Sequence, residues 1–232
     1  FFLIIKANQN TSMVVYSVLL CVTLFSPVCN LRCPFCHNSP LVLGGDADSQ
    51  IEEEELLEFL KERKGRLDGV CITGGEPLLQ KDVLPFLEKL KILGYKVKLD
   101  TNGCFPEHLK KLYDSGVLDY IAMDVKNSPA RYGGTVGITP FDLTPVKKSI
   151  ALLKTGRVPY EFRTTVSKTF HDAQSLKETG ELIEGADFWY LQAFKNSGNL
   201  IDESIVGYDE NSLHNLCNML QGYAKHVILR GV

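Results

Sequence analysis

No apolar run in this chain is long enough to cross a bilayer, and neither sign of charge dominates it. Twenty-five Lys+Arg stand against 28 Asp+Glu, a net charge of −3. That balance gives no basic surface for a polyanion, so neither a nucleic acid nor a membrane is an expected partner. Cysteine is sparse as well: seven in 232 residues, and an odd number. An odd count fits poorly with a fully paired secreted disulfide framework, so cytoplasmic thiols or metal ligands are expected instead. What is present is ordinary: 44% apolar and 23% charged residues, the mix of a folded globular chain rather than a disordered tail or fibre. The length suits one large domain or two small ones, and a single domain over 1–232 is expected.

Residues 13–25 (MVVYSVLLCVTLF) and 1–5 are the most apolar segments. Both fall short of the roughly 18 residues that span a bilayer. A signal peptide would need more than Lys6 ahead of the longer run and a small-residue cleavage site behind it; Ser26-Pro27 follows instead. The run reads as a buried first strand. The sequon Asn10-Thr11-Ser12 then carries no weight.

Beyond it, strands and helices alternate. Ser49-Gln50-Ile51-Glu52 has the form of a capping box opening a helix through about Lys64, with Ile51, Leu56, Leu57 and Leu60 on one side. The acidic residues 52–55 suit a helix N-terminus. Residues 69–73 (GVCIT) read as a buried strand, 81–93 as an amphipathic helix, and 95–100 as a strand closed by Asn102-Gly103. The pattern continues with strands over 118–125, 161–166, 188–192 and 226–229, and helices near 107–115, 144–155, 173–184 and 210–223. Such alternation predicts an α/β fold of right-handed βαβ units around a parallel sheet, either a full or partial barrel or an open doubly wound sheet. Both place ligands at the carboxyl ends of strands. Unusual residues should therefore follow strands, and they do.

Cys29-Asn30-Leu31-Arg32-Cys33-Pro34-Phe35-Cys36 follows the first strand with C-x3-C-x2-C spacing. Three thiolates can hold three irons of a [4Fe-4S] cubane and leave the fourth open to substrate. Structural zinc is the alternative, but it wants four closed ligands, and no second cysteine pair of suitable spacing occurs. The lack of a second cluster of cysteines also predicts one iron–sulfur centre only. Thr73-Gly74-Gly75-Glu76-Pro77 follows the next strand; its glycines permit close backbone approach, and Glu76 offers an acceptor for an ammonium group. Asp124 and Lys126 share one side of their strand, with Asp100 ending the strand before and Arg163 on the strand after. Charges in apolar strands must be paired or used, so they are either a salt-bridge network or part of a site.

Together these motifs resemble the radical S-adenosylmethionine family. The resemblance implies a partial (β/α)6 barrel in which Cys29, Cys33 and Cys36 hold the cluster. Phe35 would lie beside the adenine of S-adenosylmethionine, and Gly74, Gly75, Glu76 and Pro77 would contact its amino group. A narrower likeness, to the activases of glycyl-radical enzymes, runs through residues 29–38, 67–80, 97–103, 119–126, 162–165, 190–192 and 229–232. It implies that Asp124, Lys126 and Arg163 border S-adenosylmethionine, and that Asp100, Thr101, Met123 and Asp124 supply oxygens to a monovalent cation. It further implies a protein partner, of which anaerobic ribonucleoside-triphosphate reductase is the best match and a pyruvate formate-lyase-like enzyme the alternative. A flavodoxin- or ferredoxin-type reductant is implied too. Other readings are a radical enzyme acting on a small molecule and, outside the class, a zinc-binding interaction module.

The remaining candidates are bland. Cys21, Cys71 and Cys217 read as core, Cys104 less clearly so, and His108, His171, His214 and His226 as surface residues. Gly133-Gly134-x-x-Gly137 is no dinucleotide fingerprint, because it does not join a strand to a helix. The chain departs from the activase pattern at residues 11–18, which lack Asp, Pro and Gly, and at Val28, where relatives tend to carry Gly. A positive φ at Val28 would strain the loop.

Overall fold

A computed structural model describes residues 6–8, 19–43, 51–196, 198 and 200–232. The chain forms two compact units. The first comprises Phe1–Asn30, Pro40–Thr101 and Glu107–Ile121; the second comprises Leu31–Ser39, Asn102–Pro106 and Ala122–Val232.

In the first unit, β1 (Lys6–Asn8) runs antiparallel to β2 (Cys21–Ser26). β2 then pairs in parallel with β3 (Gly69–Gly74), in register from Cys21↔Gly69 to Ser26↔Gly74, and β3 with β4 (Lys96–Thr101). Their centres are mostly apolar: Leu24, Val70, Cys71, Ile72, Val97 and Leu99 are buried, with Thr23 and Lys98 the buried polar exceptions. This is the pattern of parallel strands covered on both faces. The helices are α1 (Ser39–Leu43), α2 (Glu53–Glu62), α3 (Val83–Ile92) and α4 (Pro106–Ser115). In α3, Val83, Phe86, Leu87 and Leu90 are buried, the i, i+3, i+4, i+7 spacing of one helical face, and the helix packs on β4. The first strand is shorter than the apolar run suggested, and residues 13–18 lie outside the described ones.

The expected capping box does not open α2. Ser49 and Gln50 lie outside the described residues, the helix starts at Glu53, and its N-cap Glu52 makes no side-chain capping bond. Glu53, Glu54 and Glu55 fill its first turn, so charge against the helix dipole takes the place of a cap.

β5 (Tyr120–Asp124) begins in the first unit, where the Asp119 N–H donates to the Val97 carbonyl, and ends in the second, where the Val125 N–H donates to the Arg163 carbonyl of β6 (Tyr160–Val166). β6 pairs in parallel with β7 (Ala186–Ala193), and β7 with β8 (Ala224–Arg230). Phe162, Thr164, Trp189 and Leu191 are buried here. The single tryptophan is satisfied as it is buried: Trp189 Nε1 donates to Thr164 Oγ1, which donates to the Val125 carbonyl, linking β7, β6 and the end of β5. Four helices complete this unit: α5 (Tyr132–Thr135), α6 (Thr144–Leu153), α7 (Ala173–Leu182) and α8 (Glu210–Met219). Asp172 and Ser175 form a full capping box at α7.

Strand order follows chain order from β1 to β8, and β2 to β8 form a seven-stranded parallel sheet. Order without reversal is the winding of a barrel, not of a doubly wound sheet, and the sheet is not closed. This is the expected partial barrel. Among the described residues no helix is long and apolar enough to cross a membrane.

One ion cluster joins successive elements of the first unit. Asp119, just before β5, receives Lys91 Nζ at 2.6 Å, Lys96 Nζ at 2.9 Å and the Val97 N–H at 2.8 Å. Burial pushes its carboxyl up, but these three donors outweigh burial and hold it below the usual carboxylate range. Its stabilising contribution is therefore complete above the unfolded-state pKa of about 3.9 and is lost as pH falls further. Asp119→Asn should cost about 1.5–3 kcal/mol in urea unfolding at pH 7, and that deficit should shrink by pH 3. An undiminished deficit at pH 3 would show that the charge is not what matters.

Candidate functional site

The candidate residues sit where parallel strands end. In the first unit, the turn after β3 is built against the end of β2. The Gly75 N–H donates to the Ser26 carbonyl and the Glu76 N–H to the Val28 carbonyl, both at 2.8 Å. Gly74 has φ +116°, and a Cβ on it would lie 2.3 Å from the Ser26 carbonyl oxygen; one on Gly75 would lie 2.0 Å from that of Val28. The glycine pair thus permits close approach of the chain's own backbone, the stretch that leads straight into Cys29. Val28 is the one non-glycine residue with positive φ among those described, at 65°, and it is exposed. The strain that valine would bring to this position is present.

Glu76 is fully buried. Its Oε1 accepts the Leu78 N–H at 3.1 Å and the Thr101 hydroxyl at 2.8 Å, which fixes the carboxylate between the β3 turn and the end of β4. Beside it in sequence, Pro77 opens a 3-10 turn over Pro77–Leu79. On β4, the buried Lys98 ammonium bonds Asp100 Oδ1 at 2.7 Å.

In the second unit, the segment carrying Cys33 and Cys36 is tied down by other loops. The Cys36 N–H donates to the Cys33 carbonyl at 3.0 Å, closing one turn. The Arg32 N–H donates to the Val136 carbonyl at 2.9 Å, the Asp202 N–H to the Pro34 carbonyl at 2.9 Å, and His37 Nε2 to the Lys195 carbonyl at 2.8 Å. Phe35 is buried, its ring centroid 5.6 Å from that of Phe170. At the end of β5, Asp124 receives Arg163 Nε on Oδ1 and Lys126 Nζ on Oδ2, each at 2.8 Å. Burial alone would raise the Asp124 carboxyl, but Arg163 and Lys126 overcome it and hold the group far below the usual range. Burial alone would likewise lower Lys126, but Asp124 first, and the Cys33 thiol after it, drive the ammonium upward. Both charges are thus present throughout the physiological range. The expected cation ligands fall two and two, Asp100 and Thr101 in the first unit and Met123 and Asp124 in the second.

None of the seven cysteines is in a disulfide. Among the described residues, no three His, Cys, Asp or Glu side chains form a group that would hold a single metal ion. A cubane makes no such demand, because each thiolate takes a different iron. The donor set, three soft ligands within eight residues and outside any disulfide, fits an iron–sulfur cluster with one iron left open.

Several residues escaped the sequence. His171, expected on the surface, is 1% exposed. It is held inside because Nε2 meets the Lys126 carbonyl at 2.8 Å and Nδ1 lies 3.3 Å from the Ser167 N–H. Gly137 has φ +70°, and a Cβ on it would lie 2.3 Å from the Arg32 carbonyl oxygen, so it makes room for the cysteine loop. Its glycine run is visible in the sequence, but not what it packs against. Cys21, Cys71 and Cys217 are buried as expected, and Cys104 is half-buried.

Two substitutions separate strain from fit. Val28→Gly relieves a left-handed valine and should raise the melting temperature by a few degrees, a net gain of about 1 kcal/mol after the entropy of the added glycine. An unchanged or lower melting temperature would refute strain at Val28. Gly75→Ala must displace the Val28 carbonyl and should cost at least about 2 kcal/mol in the same measurement.

The family model for the radical S-adenosylmethionine superfamily matches residues 23–178. A Methanocaldococcus jannaschii protein, described as a candidate glycyl-radical enzyme activating enzyme, is 31% identical over 212 residues, covering 88% of this chain and 86% of that protein. The 7-carboxy-7-deazaguanine synthase of Koribacter versatilis is 33% identical over 153 residues, 63% of this chain and 62% of the synthase. Among solved structures, a domain of pyruvate-formate lyase-activating enzyme from Bacteroides vulgatus superposes with a TM-score of 0.58 at 16% identity, over 70% of this chain and 99% of that one. Streptococcus suis SuiB bound to its precursor peptide SuiA gives 0.66 at 16% identity, over 90% of this chain and 48% of SuiB. At such identity the solved structures speak for the fold alone. The family match and the long likeness to the M. jannaschii protein do more: the chain belongs to the radical S-adenosylmethionine superfamily.

Proposed function

We propose that this radical S-adenosylmethionine enzyme is an activase that installs a glycyl radical on a partner protein, with anaerobic ribonucleoside-triphosphate reductase as the partner. The observation that carries this reading is the likeness to the M. jannaschii protein, which runs over nearly the whole of both chains. When bound, a [4Fe-4S] cluster and S-adenosylmethionine, given one electron by a flavodoxin- or ferredoxin-type protein, supply methionine and a 5′-deoxyadenosyl radical that takes one hydrogen atom from the partner's glycine.

The chain's own residues hold and orient those groups. Cys29, Cys33 and Cys36 hold the cluster. Phe35, pressed on Phe170, offers an apolar face to adenine, and the buried Glu76 carboxylate accepts from the methionyl ammonium beside Gly74, Gly75 and Pro77. Lys126 and Arg163 present fixed positive charge to the methionyl carboxylate, and their joint hold on Asp124 keeps both from swinging away. Asp100, Thr101, Met123 and Asp124 would serve a monovalent cation. The match across residues 23–178 includes parts of both compact units, which supports one catalytic domain over 1–232; the odd number of cysteines supports a cytoplasmic setting.

A second reading, radical chemistry on a small molecule, is favoured by the deazaguanine synthase likeness over 63% of the chain. The readings part experimentally. Anaerobically reconstituted protein should be brown and release 5′-deoxyadenosine when reduced with S-adenosylmethionine. Cys29→Ala, Cys33→Ala or Cys36→Ala should each abolish that release, and retained cleavage in any of them removes that cysteine from the ligand set. Electron paramagnetic resonance on the reductase after incubation should show a glycyl radical. No such signal, together with turnover of a small molecule in the absence of any protein partner, would overturn the activase reading.

A further inference from the structure

Lys126 is held by its peptide groups as well as by its ammonium. Its N–H points to the Tyr132 hydroxyl at 3.3 Å, and its carbonyl receives His171 Nε2 at 2.8 Å. A carbonyl can only accept, so Nε2 carries the imidazole proton, and Nδ1 is left to accept the Ser167 N–H at 3.3 Å. One buried ring therefore joins the residue after β6 to the second residue after β5. Asn127 repeats the connection: its Nδ2 donates to Thr135 Oγ1 at 2.8 Å and to the Phe170 carbonyl at 2.9 Å, and its Oδ1 accepts the Ser128 N–H. Tyr208 donates its hydroxyl proton to the His171 carbonyl at 2.8 Å, bracing the same loop from behind. Phe170, the neighbour of His171, carries the ring on which Phe35 rests.

We infer that His171 is a positioning residue, which fixes the Lys126 peptide and through it the Asp124–Lys126–Arg163 group that engages the cofactor. This rests on the proposed function, which gives that group to S-adenosylmethionine. If the position needed only packing, an apolar side chain would fill it without the cost of burying two ring nitrogens. What the position uses is a donor and an acceptor on opposite sides of one rigid ring, serving two loops at once. Burial keeps the imidazole neutral, as this double role requires. The same loop sets Phe35 through Phe170, so one element aligns the contacts proposed for both ends of S-adenosylmethionine, adenine and methionyl carboxylate.

The test pairs His171→Leu, which removes both hydrogen-bonding functions, with His171→Gln, whose amide offers a donor and an acceptor. S-adenosylmethionine binding is measured directly by equilibrium dialysis on anaerobically reconstituted protein of matched iron content. Loss of the Lys126 anchor should weaken binding about 10- to 50-fold in His171→Leu, with His171→Gln recovering most of it. In a Lys126→Met background, His171→Leu should add little, because the effect travels through Lys126. Wild-type affinity in His171→Leu, or a full multiplicative loss on top of Lys126→Met, overturns the inference. Amide hydrogen exchange over residues 125–128 gives a readout independent of the cofactor. It should quicken at least about tenfold in His171→Leu but not in His171→Gln, and unchanged exchange likewise overturns the inference. If His171→Leu fails to fold, His171→Phe, which keeps a ring but neither nitrogen, takes its place under the same outcomes. If wild-type holoenzyme binds no S-adenosylmethionine, the proposed function falls, and the exchange result still decides the role of His171.

Discussion

A carboxylate largely withdrawn from water needs compensation close by, and Asp124, its side chain 26% exposed, finds it in two cations, Arg163 on one oxygen and Lys126 on the other. Removing Asp124 would leave two cations side by side without their counter-charge, whereas losing one cation leaves the carboxylate paired with the other. That requirement organises the second unit. Arg163 must lie on the strand beside β5, and the Val125 N–H to Arg163 carbonyl bond puts it there. Lys126 must turn back toward Asp124 just as its strand ends. A chain leaving a strand has no ladder to hold its peptide groups, so side chains do the holding: Tyr132 at the N–H and His171 at the carbonyl. The ion group and the loops around it are thus one construction, in which charge fixes the direction of the side chains and buried neutral side chains, Tyr132 as acceptor and His171 as donor, fix the backbone.

The cysteine segment follows a different rule. Its backbone closes one short turn at Cys33–Cys36 and joins no strand ladder, so it is held from outside. Within the second unit, Val136, Asp202 and Lys195 each meet its backbone or His37, while Phe170 meets Phe35. Gly137 exists in this role because a side chain would strike the Arg32 carbonyl. In the first unit the approach to Cys29 is fixed by backbone alone, through Ser26 and Val28 with the glycine turn after β3. Val28 bears the conformational cost of that arrangement in a left-handed turn where glycine would sit freely.

These two rules explain what could be read from the sequence. Strands such as 69–74 announce themselves because their burial is local and apolar, and the helices because their periodicity is. The cysteine spacing, the glycine turn and the Asp124–Lys126 pair were legible for the same reason: each is a short pattern whose chemistry is set by neighbours along the chain. His171 was not, because a buried histidine is defined by what it touches, here a carbonyl 45 residues away in sequence. Gly137 was seen and set aside, since the sequence shows a glycine but not the Arg32 carbonyl that requires it. The short helices α1 and α5 went unseen because four or five residues carry too little periodicity to register.

The same distinction bears on substrate. Both the cysteine loop and the glycine turn lie within residues 23–178, the span common to the superfamily, so they speak for the shared radical chemistry and not for what the radical attacks. The deazaguanine synthase likeness, over 153 residues and 63% of this chain, is short enough to be accounted for by that shared chemistry. The alignment with the M. jannaschii protein is 212 residues long, too long to fit within 23–178, so it must include chain outside the superfamily span. What lies beyond that span includes β7 and β8, with Phe188 stacked on His226 and the Arg230 guanidinium 3.7 Å over the Tyr190 ring, on strands that carry none of the cluster ligands. Resemblance that extends there is not accounted for by the cysteine loop or the glycine turn, so it is on this part of the chain, and not on the cysteines, that the two proposed substrates are to be told apart.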